Sequence, residues 1–216
     1  MRRSLLTLCL AAMSAATFAQ STFGVKGGLN FSKLSYSNIG QDVGYSSDMM
    51  TTFQAGVFAD FKVSESVSIQ PALLYSVKGA KTNIGGPSTN TIAKTTIKYL
   101  HLPVNILFHK PLGKHELYFG GGPFISYALS GKIKGSTVMF EEGVKTVKPV
   151  DEKLKFTDTS NGIKRTDAGL EILAGFKFSN GFLVNLNYDF GLANIEYGSP
   201  TTRTRVLGVS VGYAFQ

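Results

Sequence analysis

The sequence predicts an all-β fold, an eight-stranded antiparallel up-and-down transmembrane β-barrel preceded by a cleavable signal peptide. Three observations carry this prediction. Apolar and polar residues alternate over eight separate segments, and the connections between them run long, short, long, short, long, short, long. The polar side of the alternation is rich in glycine and nearly balanced in charge. Successive side chains of a strand point to opposite faces, so each segment is a strand with one apolar and one polar face. Even strand number, with short turns at one end and longer loops at the other, is the pattern of a bacterial barrel with both termini inside.

The first residues stand apart from this pattern. Arg2 and Arg3 precede an apolar run, Leu5 to Ala12, and Thr17-Phe18-Ala19 is a small-x-small site suited to cleavage before Gln20. Residues 1–19 therefore read as a secretory signal peptide and residues 20–216 as the barrel domain. The first strand puts Phe23, Val25, Leu29 and Phe31 on one face, and Gly24, Lys26, Gly28, Asn30 and Ser32 on the other. After a loop from Tyr36 to Thr52, Phe53, Ala55, Val57, Ala59, Phe61 and Val63 oppose Gln54, Gly56, Asp60 and Lys62. Ser64-Glu65-Ser66 then turns the chain into Val67, Ile69, Leu73, Tyr75 and Val77, opposed by Ser68, Gln70, Ser76 and Lys78. A second loop, Lys81 to Lys94, centres on Gly85-Gly86-Pro87.

The fourth strand carries Leu100, Leu102, Val104, Ile106 and Phe108 against Tyr99, His101, Asn105 and His109. A short turn, Pro111 to His115, leads to Leu117, Phe119, Ile125, Tyr127 and Leu129 against Glu116, Tyr118, Ser126 and Ser130. The longest connection, residues 134–165, contains two pieces, Thr137 to Phe140 and Lys153 to Phe156, that extend the flanking strands as a protruding hairpin. Strand six sets Ala168, Leu170, Ile172, Ala174, Phe176 and Phe178 against Asp167, Glu171 and Lys177. Ser179-Asn180-Gly181 turns it into Phe182, Val184, Leu186, Tyr188, Phe190 and Leu192, opposed by Asn185, Asn187 and Asp189. A final loop, Asn194 to Thr202, precedes Leu207, Val209, Val211, Tyr213 and Phe215.

Composition narrows the function classes. The single cysteine, Cys9, lies in the signal segment, so the mature chain has no thiol, disulfide or thiolate metal site. Loss of Arg2 and Arg3 lowers the formal charge of +8 by two and leaves the chain basic. For an exported protein this points to anionic lipid or polysaccharide rather than nucleic acid. No apolar run of about 18 residues follows Ala19, which excludes helical spans.

Parity alone does not say which face meets water. The polar face holds Lys26, Asp60, Lys62, Lys78, Glu116, Asp167, Glu171, Lys177 and Asp189 among many glycines. A narrow eight-stranded lumen is filled by small or mutually paired side chains, and an unpaired charge inside it is costly. Glu171 and Lys177 are therefore expected to find opposite charges among Lys26, Lys62, Lys78, Glu116 and Asp189. Aromatics fall near both ends of the apolar face, Phe23, Phe61, Phe108, Phe178, Phe182 and Phe215 at one and Phe31, Phe53, Tyr75, Tyr127 and Phe190 at the other, as girdles do. A soluble exported barrel holding an apolar ligand is the alternative.

The segments GVKGGLNFS, FQAGVFADFKVSESVSIQPALLYSVKGAK, KYLHLPVNILF, YFGGGPFISYALSGK, TDAGLEILAGFKFSNGFLVNLNYDFGLANI and RVLGVSVGYAF together resemble the PorT-like outer-membrane β-barrel proteins of Gram-negative bacteria. The resemblance covers essentially the whole mature chain. It implies an eight-stranded barrel folded into the outer membrane, with motifs specific for the fold rather than for an activity, and the family's namesake is tied to protein secretion. Tyr213 and Phe215 take the place of the terminal aromatic signal read by the barrel assembly machinery, and Gln216 after them departs from the usual aromatic ending.

Candidate chemistry is sparse. His101 and His109 share a face but stand roughly 26 Å apart along one strand, too far to hold one ion, and they read as girdle histidines. A Ser, His and acid triad is defined by geometry, and no G-x-S-x-G motif is present. Gly120-Gly121-Gly122-Pro123 lacks the Lys and Ser or Thr of a phosphate loop. No catalytic residue, metal or cofactor is expected. Basic residues gather in loop 134–165 (Lys134, Lys145, Lys148, Lys153, Lys155, Lys164 and Arg165), mixed with Glu141, Glu142, Asp151, Glu152 and Asp158. Arg203 and Arg205 lie on the lipid-facing parity, where a planar guanidinium suits lipopolysaccharide phosphates. The function expected is an integral envelope protein with a side-chain-filled lumen, acting as a structural or docking element through loop 134–165, whose partner is a protein or polysaccharide. The alternative is an accessory part of an outer-membrane secretion or transport machine. Deletion of residues 137–160 is expected to abolish capture and spare the barrel.

Overall fold

Alternation turns into ten antiparallel strands in the structure, a computed structural model that describes residues 21–37, 44–85, 89–141, 144–156, 162–197 and 201–215. They are β1 (Ser21–Ser37), β2 (Gly44–Asp48), β3 (Met50–Lys62), β4 (Val67–Gly85), β5 (Thr89–Leu112), β6 (His115–Glu141), β7 (Val144–Lys153), β8 (Thr166–Lys177), β9 (Phe182–Gly191) and β10 (Thr201–Phe215). Eight of them close a ring in the order β1-β3-β4-β5-β6-β8-β9-β10, with β10 returning to β1. The predicted signal segment 1–19, Gln216, Glu142 and Asp158 lie outside the described residues.

The two strands outside the ring correct the expected loops. β2 pairs with the outer part of β4, Gly44↔Gly85 to Asp48↔Lys81, so residues read as loop on both sides form a ladder. β4 and β5 pair through Lys81↔Lys94 to Gly85↔Asn90, across most of the second expected loop. The protruding hairpin does form, but its return arm is β7, paired Lys132↔Lys153 to Glu141↔Val144, and not the piece Lys153 to Phe156. Above the bilayer both faces of a strand meet water, so the apolar alternation that marks a spanning strand is no longer required there.

The inner end has tight turns. Val63 and Ser64 amides both donate to Val67 O, and Gly113 and Gly181 adopt φ of 63° and 87°, a left-handed region that glycine enters without a Cβ clash. Across the seam the register runs from Phe23↔Phe215 to Ser37↔Thr201.

The faces divide as parity requires. Val25 is 44% exposed and Val211 61% exposed, whereas Lys78 is 1% and Glu171 2% exposed. Such an apolar exterior suits hydrocarbon and would be an aggregation surface in water. One bulge interrupts the order. Lys98 pairs with Ser130 and Tyr99 with Ala128, leaving Leu129 unopposed. Inward parity on β6 thereby passes from Ser130, which is exposed, to Gly131, whose missing Cβ is replaced by the Leu154 side chain.

The lumen is packed in layers. At the outer mouth Leu34, Ala80, Ile97, Tyr99, Ala128 and Ile195 form an apolar cap, with Leu154, Phe156 and Ile163 packed against it from the β7–β8 connection. Nearer the inner end Phe58, Ala72, Leu74, Leu183 and Ala214 form a second apolar layer, and Leu107, Tyr118 and Leu173 a third cluster. Two inward glycines make room for the large rings. The Phe58 ring occupies the place of a Cβ at Gly24, and the Tyr118 ring that at Gly175.

Candidate functional site

Between the apolar layers lies a buried polar network that draws on six strands. Lys78 of β4 places Nζ 3.5 Å from Asp167 Oδ2 of β8 and 3.5 Å from Asp189 Oδ2 of β9, and 4.6 Å from the centre of the Phe124 ring. His101 of β5 is fully buried, with Nδ1 2.7 Å from Ser126 Oγ of β6. Its Nε2 faces Glu171 Oε2 at 3.8 Å and Asp189 Oδ2 at 3.7 Å. Asn105 Nδ2 donates to Glu171 Oε1 at 2.5 Å. Asn187 Nδ2 donates to Glu171 Oε2 at 3.3 Å and to Asp189 Oδ1 at 2.9 Å. Thr204 Oγ1 of β10 donates to Asp167 Oδ2 at 2.8 Å.

A second polar cluster sits at the inner rim. Ser68 Oγ lies 2.7 Å from His109 Nε2, and His109 Nδ1 lies 2.9 Å from Glu116 Oε1, which Lys177 Nζ approaches at 3.3 Å. The connectivity, hydroxyl to Nε2 and carboxylate to Nδ1, is that of a serine-hydrolase triad. Ser68 is 0% exposed, however, so its Oγ has no surface on which to meet a carbonyl carbon. The cluster ties the inner ends of β4, β5, β6 and β8 together.

Of the predicted lumen residues, the structure brings Lys78 and Asp189 together, and Glu116 and Lys177, which are register partners on β6 and β8. Glu171 takes its close contacts from Asn105, Asn187 and His101 rather than from a lysine. Lys26 is buried, with no carboxylate within 4.0 Å of Nζ among the described residues; Glu171 and Asp189 are the charges acting on it. Asp60 accepts from Gln70 Nε2 at 3.3 Å, and Lys62 is half-buried without an ion pair among the described residues. The girdle reading of His101 and His109 is corrected, since both lie inside the lumen and serve separate clusters. Their parity on β5, shared with Asn105 and opposite to Leu100, Leu102 and Ile106, is the signal that places them there.

At the outer end the β6–β7 hairpin rises beside a groove of about 560 Å³ lined by Ile133, Leu154, Ile163, Tyr197, Glu152, Lys153, Lys155 and Glu196. Not all the basic residues are available to a partner. Arg165 Nη1 donates to Ala128 O at 3.2 Å and its guanidinium sits 5.0 Å from the Phe156 ring, while Lys164 lies over Tyr197 at 4.7 Å. Lys132 Nζ stands 2.7 Å from Asp151 Oδ1 and holds that carboxyl below the usual carboxylate range. Burial raises the Glu196 carboxyl above it. Lys148, Lys153 and Lys155 point outward. On β10, Arg203 is exposed, whereas Arg205 donates to Gly191 O at 2.6 Å and Thr204 O at 2.8 Å. Tyr213 and Phe215 meet edge to face at 5.6 Å on the lipid side of the inner rim, with Phe182 5.3 Å from Tyr213.

A closed eight-stranded ring, apolar outside and filled with polar pairs inside, defines the class of integral outer-membrane β-barrels of Gram-negative bacteria. Residues 18–197 match the family described as outer membrane protein beta-barrel domain, and the chain belongs to that family. Among solved structures it is similar to Ail, the attachment invasion locus protein of Yersinia pestis (11% identity over 90% of this chain and 99% of that one, TM-score 0.40). It is also similar to Neisserial surface protein A (12% identity, 89% and 97%, TM-score 0.42) and to OprG of Pseudomonas aeruginosa (11% identity, 92% and 97%, TM-score 0.46). No curated protein matches the chain.

Proposed function

We propose that this outer-membrane protein is a docking element whose working surface is the groove at the base of the β6–β7 hairpin, with a protein or polysaccharide as partner. The observation that carries this reading is the filling of the lumen. Apolar layers above and below the Lys78–Asp167–Asp189 network fill the lumen with side chains no more than 5% exposed, which argues against a solute path and for recognition by the exposed outer strands. The groove offers an apolar floor, Ile133, Leu154 and Ile163, and a rim of both signs, Lys153 and Lys155 with Glu152 and Glu196. Arg203, exposed at the outer interface, is the proposed lipopolysaccharide contact, with Arg205 bracing the strand beside it. Tyr213 and Phe215 are the proposed signal for the assembly machinery, and residues 1–19 the export signal.

The resemblance of the segments from GVKGGLNFS to RVLGVSVGYAF to the PorT-like proteins supports a secretion-accessory role as the second reading. A cross-linking pull-down from intact cells tests the first. Because Leu154 and Phe156 pack on the cap, the deletion must be narrower than 137–160, and removal of residues 137–150 is the appropriate variant. The barrel is expected to fold and the cross-linked partner to vanish. Unchanged capture would remove the hairpin from the function, and a large translocon co-purifying with the deleted form in mild detergent would favour the second reading.

A further inference from the structure

We propose that the centre of the lumen holds one divalent transition-metal ion, ligated by His101 Nε2, Glu171 Oε2 and Asp189 Oδ2. These atoms come from β5, β8 and β9 and lie within 4.8 Å of one another, all on buried residues. Three independent features converge on an ion at this point.

The first is a like-charge pair. Glu171 and Asp189 are direct register partners on adjacent strands, and both are 2% exposed. Two carboxylates facing each other out of water require a cation or a shared proton between them. The lumen supplies too few cations of its own, since the inward-facing lysines 26, 62, 78 and 177 face five carboxylates, Asp60, Glu116, Asp167, Glu171 and Asp189. Lys78 is already divided between Asp167 and Asp189, Lys177 serves Glu116, and Lys26, on which Glu171 and Asp189 act from a distance, brings Nζ within 4.0 Å of neither.

The second is an unused nitrogen. His101 Nε2 is buried and has no hydrogen-bond partner, although it points at both carboxylates. Its distances of 3.7 and 3.8 Å are too long for hydrogen bonds. They are close to the edge of a coordination shell, because two ligands about 2.1 Å from a tetrahedral ion stand roughly 3.4 Å apart. A few tenths of an ångström of contraction close the two edges at His101 Nε2, and the edge between the carboxylates, within 4.8 Å, closes by up to about 1.4 Å as their side chains turn onto the ion.

The third is the outer shell. His101 Nδ1 lies 2.7 Å from Ser126 Oγ, which can accept Nδ1–H and leave the Nε2 lone pair for the metal. Asn105 and Asn187 donate to the two oxygens of Glu171, and Asn187 also donates to Asp189 Oδ1. Each ligand is thus oriented by a second residue, as metal ligands are. One imidazole with two carboxylates suits zinc, iron or manganese in the divalent state.

The test uses the full mature chain refolded into detergent with Co²⁺ or Zn²⁺ present, and excess metal removed. One Co²⁺ per barrel with visible d–d absorption is expected, lost on exchange with Zn²⁺. X-ray absorption at the zinc edge is expected to report one imidazole with oxygen ligands. His101→Gln should weaken Zn²⁺ binding at least tenfold, and His115→Gln, at the turn outside the lumen, should leave it unchanged. A folded wild-type barrel that retains no metal overturns the site and leaves a proton shared by the carboxylates. Equal binding by His101→Gln also overturns it, as does a zinc shell without imidazole; this last measurement stands even where the variant does not fold.

Discussion

Strands β8 and β9 have 12 and 10 residues, while β5 and β6 have 24 and 27 in the same ring. At about 3.3 Å per residue the short hairpin extends roughly 33 to 40 Å, enough for a tilted crossing of the bilayer. The tall one extends about twice as far and continues above the membrane, where β7 pairs with β6 while β2 pairs with the neighbouring β4. The two hairpins obey different rules because they meet different solvents. In the first, every outward residue faces hydrocarbon and every inward one a crowded lumen. In the second, beyond Ile97, Tyr99 and Ala128 of the apolar cap, polar residues stand on both faces, Lys94 and Thr96 on one and Thr95 on the other.

Substitutions can break or sharpen that contrast. Lys78→Ala strands Asp167 and Asp189 in the lumen wall formed by the short hairpin, and is expected to lower the unfolding free energy by about 3–5 kcal/mol in urea titrations of the refolded barrel. Next comes a matched pair. Leu186→Arg, at the middle of β9 on the lipid face, is expected to cost about 2–4 kcal/mol. Val147→Arg, equally exposed on β7, is expected to leave the midpoint in place. Equal costs for the two would mean that the tall sheet lies in lipid. Lys132→Ala removes the solvent-exposed contact with Asp151 and is expected to shift no midpoint. Last, a fluorophosphonate probe is expected to leave Ser68 unlabelled; labelling abolished by Ser68→Ala would convert the inner-rim cluster into a working hydrolase site.

How much of this was legible follows from the same division. Parity located the inward and outward residues of the spanning segments, down to Lys78, Glu171 and Asp189 inside and Val25, Leu29, Val209 and Val211 outside. Strand extensions from Lys81 to Gly85 and from Thr89 to Lys94 read as loop, because polar residues on both faces carry no alternation. The bulge at Leu129 carries no residue signature, so the change of inward parity beyond it was invisible. His101 was placed on the correct face, yet its neighbours Ser126, Glu171 and Asp189 come from three other strands. Their juxtaposition depends on register, which a sequence does not state. The same holds for Ser68, His109 and Glu116, which lie on β4, β5 and β6.

The seam between β1 and β10 has a consequence for biogenesis. Its ladder joins β1 to β10, Phe23 opposite Phe215. Until β10 is in place beside β1 no circle can be completed, and the facing edges of both strands present unsatisfied amides and carbonyls. Closure of this ring therefore waits for β10, and the two open borders are exposed to stray pairing during the wait.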